Sequence, residues 1–356
     1  MLKLQPGVFM RHPGLGRARR RPGRLLILLV LPILLACVSL PTPPSSSTAT
    51  PTLPPSTALP TGIPPISELG TAKNPLILAL PPSAQVSNEV QTAGNALVGI
   101  LEKNTGYNIV SVLPPSESDL VDGFGNGNAH IGVLSPFAYL LASDEGTAEA
   151  AFAREQGGEI FYGAQYIAHN NNGFTPYFDP VTQLNQVDSP VALSQFQDKK
   201  PCWTDDRSPS GYVVPLGLLK QAQVVTRDPA FLAGHVAVVR AIDVGGICDF
   251  GATYIDARNY PGLQDQYPDI FAKVQVIWRI PAIIPYETLV FMHGMNEDMR
   301  RNLVRAFVDL MGTAQGQSAM QTLYGFQSMQ IVQDGQYDPF RKIVKASGID
   351  LVDLIK

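Results

Sequence analysis

From about residue 75 onward, short apolar runs alternate with longer stretches whose apolar residues recur every three or four positions. Residues 75–80 (Pro-Leu-Ile-Leu-Ala-Leu) read as a buried strand. Residues 88–104 carry Val90, Ala93, Leu97 and Leu101 at helical spacing, and Gly106 follows as a stop signal. The pattern then predicts strands over 107–113, 129–134 and 162–168, with a helix from Ala138 onward. The second half repeats the style, with strands over 200–204, 247–252 and 274–278 and helices over 211–221 and 298–310. The last helix turns Leu303, Ala306, Phe307 and Leu310 inward, while Trp278 and Phe291 read as core. Strands alternating with helices imply an α/β chain of mixed, mostly parallel sheets with helices on both faces. Two such lobes joined by two crossovers hold a ligand cleft between them, outside the carboxyl ends of the strands. No repeat of about 20–50 residues is present.

The N-terminus follows a different pattern. Arg17, Arg19, Arg20, Arg21 and Arg24 precede an apolar run over 25–36, broken only by Pro32. A basic region, a short apolar stretch and small Ala36 before Cys37 predict a secretory signal over 1–36. The run is shorter than the ~20 apolar residues a spanning helix needs. Cys37 after Ala36 resembles the bacterial lipobox, which implies lipidation of Cys37 and a tether on the outer face of the membrane. Residues 38–66 are nearly all Pro, Thr, Ser and small apolar residues and read as an extended leash.

Charge narrows the partners. The first 37 residues hold seven basic and no acidic side chains, which leaves 19 basic against 30 acidic residues beyond them, a net charge of −11. That excludes nucleic acid as the expected partner, since phosphate-backbone binding needs a basic face. A small anion remains possible, because backbone N–H groups at helix starts hold anions whatever the net charge. With Cys37 taken by lipid, Cys202 and Cys248 remain in an oxidising compartment, either bridged or as two buried thiols.

The segment with most chemistry is 204–215, Thr-Asp-Asp-Arg-Ser-Pro-Ser-Gly-Tyr-Val-Val-Pro. It follows a strand and opens a helix. Ser208 or Ser210 caps that helix and Pro209 suits its first turn; the arrangement is either a plain cap or an anion pocket of N–H groups and hydroxyls.

This segment resembles the Ser-Thr-Ser-Gly-Tyr-x-x-Pro motif of the phosphate/phosphite/phosphonate-type (PhnD-like) ABC-transporter substrate-binding proteins. The likeness continues in Phe231-Leu232-Ala233-Gly234-His235, in 237–252, in 276–285, and upstream in 127–139. It covers most of 74–345 in order. The resemblance implies a type II periplasmic-binding-protein-like fold with lobe 1 over 74–169 and 280–356 and lobe 2 over 170–279. Residues 37–73 are then the lipidated cysteine and its leash. It further implies that Ser208, Ser210 and the Gly211 N–H hold phosphonate oxygens and that His235 donates to them. Tyr139 then lines the cleft from the first lobe, and Asp256 and Glu287 serve as carboxylates for a ligand amine. The strands holding Cys202 and Cys248 become neighbours, which favours their bridge. Three positions depart from the pattern: Pro209 replaces a threonine, His130 stands where an aspartate is common, and Glu117 lies near the place of a cleft tyrosine.

The expected function is capture of a small oxyanion such as phosphonate, phosphite or phosphate and its delivery to the transmembrane subunit of an ABC permease. A sensor module for a signalling kinase, or a binder of a sulfonate or thiamine-like ligand, is the alternative. No cofactor or metal site is expected. The chain carries no Gly-x-Ser-x-Gly elbow, His-Glu-x-x-His, Cys-x-x-Cys or Walker loop, so an enzyme is not expected.

Overall fold

The computed structural model describes residues 68–82 and 87–356. The expected signal segment, Cys37 and the leash up to residue 67 lie outside the described residues.

The first half forms where the apolar pattern places it. Strand β1 (Leu76–Ala79) is buried throughout, and helix α1 (Asn88–Thr105) buries Ala93, Leu97 and Leu101. Ser87 caps α1 by accepting the Val90 N–H, an arrangement worth ~1 kcal/mol, and Gly106 ends the helix at φ 74°. There follow β2 (Ile109–Val112), α2 (Glu117–Asn126), β3 (Ile131–Leu134), α3 (Pro136–Asp144) and β4 (Ala148–Arg154). The chain then enters β5 (Phe161–His169), a short hairpin of β6 (Phe178–Asp179) and β7 (Leu184–Asn185), α4 (Ser189–Leu193) and β8 (Pro201–Trp203). Next come α5 (Val214–Gln221), β9 (Ala230–Phe231), α6 (His235–Val244), β10 (Phe250–Tyr254), α7 (Leu263–Gln266), α8 (Ile270–Lys273) and β11 (Val274–Pro285). The C-terminal part holds β12 (Thr288–Met292), α9 (Glu297–Met311), α10 (Ala314–Tyr324), β13 (Met329–Ile331), α11 (Asp338–Ser347) and α12 (Leu351–Leu354).

Two sheets result. The first has the order β13-β4-β12-β3-β1-β2 and the second β11-β5-β10-β8-β9. Parallel pairing is confined to β1–β2, β1–β3, β8–β10 and β8–β9. The remaining pairs within these sheets are antiparallel. Parallel strands are therefore less dominant than the expected mostly parallel sheets, because the strands beside the two crossovers run antiparallel to their neighbours.

The crossovers also fall elsewhere than expected. β5 pairs with β11 over its length, from Val274 opposite His169 to Pro285 opposite Phe161. Both strands thus belong to the second sheet, and the chain changes sheet between Arg154 and Phe161 and between Pro285 and Thr288. The strands of the second sheet accordingly lie within 161–285, beyond the 170–279 expected for the second lobe.

One continuous apolar core runs through both sheets, including Leu76 and Phe291 on one side and Trp203 and Phe250 on the other. Helix α11 helps to join them: Phe340 stacks on Phe137 of α3 at 5.7 Å, and the helix also packs along α5. Trp278 and Phe291 are buried core side chains, as their pattern implies.

Cys202 and Cys248 form a disulfide with Cα atoms 5.6 Å apart. Cys202 lies in β8, whereas Cys248 lies two residues before β10, so the strand expected over 247–252 begins later, at Phe250.

Candidate functional site

The loop after β8 is built by local hydrogen bonding. Trp203 ends the strand, packed edge-on against Phe250. Asp205 then makes a tight turn, its carbonyl accepting the Ser208 N–H at 3.3 Å and its carboxylate the Arg207 N–H at 3.1 Å. Ser208 caps the next turn with its hydroxyl, which accepts the Gly211 N–H at 3.1 Å. Its carbonyl accepts the N–H groups of Tyr212 and Val213, which makes residues Pro209–Val213 a π turn ahead of α5. The helix expected from Gly211 therefore starts at Val214. Gly211 is required here, since a Cβ on it would come within 2.1 Å of Thr204 Oγ1.

This bonding assigns the loop residues different roles. The Gly211 N–H, expected to face an anion, is engaged by Ser208. Ser210 is buried and does not line the groove that opens on this loop; its N–H has no protein acceptor among the described residues, and its side chain is engaged with the Tyr162 hydroxyl. Pro209 carries no N–H at all.

A groove of about 560 Å³ opens on this loop. Arg207 and Pro209 form one side. Pro82, Pro115, Ser116, Glu117, Ser135, Pro136 and Phe137 form another, at the carboxyl ends of β1, β2 and β3, and Leu354, Ile355 and Lys356 close it. Three chain turns capped by serines meet there, at Ser116 for α2, Ser135 for α3 and Ser208 for the turn into α5. Helix starts carry partial positive charge, which suits an anionic ligand. Glu117 is the exception on the wall: its Oε1 accepts the Ser135 N–H at 2.8 Å. Arg207 faces the same groove and hydrogen-bonds the Lys356 carbonyl.

His235 begins α6. Its Nδ1 accepts the Tyr254 N–H at 3.3 Å, and the two rings meet edge to face at 4.6 Å. Burial pushes the imidazole pKa down to about 4, against an opposing pull from Asp205. The ring is neutral at pH 7, with its proton on Nε2 as a donor.

The other expected residues are committed elsewhere. Tyr139 is fully buried and donates to Asp334 Oδ1 at 2.6 Å; burial, then the Asp334 hydrogen bond and charge, push its pKa up. Tyr139 is thus absent from the groove wall. Asp256 accepts from Gln165 Nε2 at 2.8 Å, and the Arg258 side chain grips both its oxygens. The Arg258 N–H bonds Oδ1 as well. Its acceptors are filled, so an amine has no opening at Asp256 in this arrangement. Burial acts to raise the Asp256 pKa, but its hydrogen bonds and Arg258 outweigh it and hold the carboxyl low. Glu287 pairs with Arg154, which meets both its oxygens at 3.2 and 3.0 Å. His130, one of the three positions that depart from the resembled pattern, is buried just before β3 and accepts the Ile77 N–H at 2.9 Å.

Two groups escaped sequence reasoning. Arg207 lies inside the segment singled out, but nothing in the pattern distinguishes it from Asp206. Tyr162 stacks on Tyr286 at 5.0 Å, joining the two crossovers beside Ser210. Burial pushes its pKa up to about 12, with Ser210 opposing the rise. Its place at a strand start carries no sequence signal.

Comparison with known proteins puts this geometry in context. The family described as "ABC transporter, phosphonate, periplasmic substrate-binding protein" matches residues 80–337. "Phosphate-import protein PhnD" of Mycolicibacterium smegmatis is 27% identical over 191 residues, 50% of this chain and 54% of that protein. The chain therefore spans about half the length of this relative. Among solved structures, XAC2383 from Xanthomonas citri bound to ATP superposes with a TM-score of 0.55 at 12% identity, over 79% of this chain and 99% of that one. Its chloride-bound form gives 0.54 at 11% identity over the same shares. These two structures share the fold.

Proposed function

The chain belongs to the family of periplasmic substrate-binding proteins of phosphonate ABC transporters, and from that premise we propose that it captures a small phosphorus oxyanion and hands it to an ABC permease. Phosphonate, phosphite and phosphate are the candidate solutes. The observation that carries this reading is the groove in which the carboxyl ends of three first-sheet strands meet Arg207 and the serine-capped loop of the second sheet. Ser208, Ser210 and His235 do not line this groove in the present arrangement; in this reading the Ser210 hydroxyl and N–H and the neutral His235 N–H reach the ligand when the lobes close. Closure of the two lobes about the crossovers at 155–160 and 286–287 is the working motion.

The chain performs no chemistry in this reading. It works outside the cytoplasmic membrane, tethered through a lipid on Cys37. No described helix is long and apolar enough to cross a membrane.

Calorimetric titration tests the proposal with phosphate, phosphite, methylphosphonate, aminoethylphosphonate and sulfate. At least one phosphorus oxyanion binds, and Ser210→Ala weakens it by about 10- to 100-fold, the loss expected for a hydrogen bond to a charged ligand. Absence of heat and of thermal stabilisation with every phosphorus oxyanion overturns it.

A further inference from the structure

Resting on the oxyanion reading above, we infer that Glu117 selects among oxyanions, admitting those that carry an acidic O–H and rejecting those that carry none. Glu117 is the first residue of α2 and lines the groove, which also holds Arg207 of the second lobe. Its Oε1 is fixed by the Ser135 N–H at 2.8 Å, which holds the side chain against the start of α3. Oε2 has no hydrogen-bond or ion-pair partner among the described residues. A carboxylate only accepts hydrogen bonds. It therefore offers nothing to a ligand oxygen that lacks a proton, and it repels the negative charge on that oxygen.

The surroundings divide the labour. Arg207 and the serine-capped starts of α2 and α3 favour any tetrahedral oxyanion alike. Glu117 is the one acidic side chain on the described groove wall, and its second oxygen is open. Inorganic phosphate and a phosphonate monoanion each keep an O–H near neutral pH that can be donated to it. Sulfate and sulfonates have none and leave two negative oxygens face to face. Discrimination then comes from a repulsive element rather than from a better fit. The residue that sits poorly with a generic anion site becomes the one that reads the ligand's protonation.

The test is titration of wild-type protein and Glu117→Gln with phosphate, methylphosphonate, sulfate and methanesulfonate at one pH. The glutamine keeps an oxygen for the Ser135 N–H, and a thermal melt checks that the fold is kept. Wild type prefers the phosphorus ligands by about 100-fold or more, and the variant narrows that ratio by about 10- to 100-fold, the range for one hydrogen bond involving a charge. Binding of phosphate with an unchanged ratio in Glu117→Gln overturns the inference and leaves the oxyanion reading intact. Equal binding of phosphate and sulfate by wild type also overturns it. Failure of wild type to bind any phosphorus ligand sinks the functional reading, and this inference with it. Arg207→Gln supplies the contrast, since loss of a cation weakens phosphate and sulfate by the same factor.

Discussion

Gly217 of α5 lies directly against the Ile343 carbonyl of α11: a Cβ on Gly217 would come within 2.3 Å of that oxygen. Lys220 on α5 adds a hydrogen bond to the Ser347 carbonyl at 2.5 Å. The two helices approach so closely only because one position has no side chain. Gly217→Ala forces them apart, and overpacking of this kind costs roughly 1–3 kcal/mol. Urea denaturation should show that loss, with the midpoint lowered and the slope unchanged.

Asp256 and Arg258 form a buried ion pair with side-chain exposures of 8% and 11%. Asp256→Asn removes one charge and leaves the other buried, which costs about 3–5 kcal/mol. The variant should melt at a lower temperature, while its relative preference among amine-bearing and amine-free ligands stays as in wild type. A selective loss of amine-bearing ligands would show instead that Asp256 opens to the solute.

The Cys202–Cys248 bridge closes a loop with a sequence separation of 46. On a chain-entropy account such a link is worth about 4 kcal/mol, within a usual range of about 2–4. The double variant Cys202→Ser, Cys248→Ser should lose stability on that scale in denaturant titration. Adding a reductant should leave the variant's midpoint unmoved and lower that of unfolded-and-refolded wild type.

His130 makes stability fall in acid. Burial lowers its pKa from 6.5 to about 4, and its Nε2 has no partner among the described residues. Below pH 6.5 the unfolded chain takes up a proton that the folded chain accepts only near pH 4. Stability is therefore present in full above that window and lost as pH falls through it, by roughly 3 kcal/mol for this group. His235 acts in the same direction. Melting temperatures between pH 7 and pH 4 should drop steeply in wild type and less in His130→Gln, whose amide oxygen can still accept the Ile77 N–H.

Local patterning made much of the fold legible. Helix α1 is marked by its apolar spacing and by Gly106, and both its ends fall within a residue of expectation. What escaped depended on context. Strand β4 is Ala-Glu-Ala-Ala-Phe-Ala-Arg, a composition that favours helix when read alone, and pairing with β12 and β13 makes it extended. The boundary of the lobes depended on the β5–β11 pairing, a relation between residues more than 100 positions apart. At the site, Ser208 and Ser210 announced themselves through cap chemistry. Asp256 is filled by Arg258, two residues on, and by Gln165, 91 residues away, and no local pattern reports the second. Glu117 was visible in sequence but unreadable, because its meaning comes from the Ser135 N–H that holds it.

The apolar core shared by the two sheets has a thermodynamic consequence. Phe196, Trp203 and Phe250 of the second sheet belong to the same buried cluster as Phe137, Phe291 and Phe340. Neither half can come apart without exposing aromatic surface that the other half covers. Heating in a calorimeter should therefore give a single peak, with calorimetric and van't Hoff enthalpies equal, instead of two transitions for two lobes. The core that the two sheets share, and not only the chain that crosses between them, makes them melt as one.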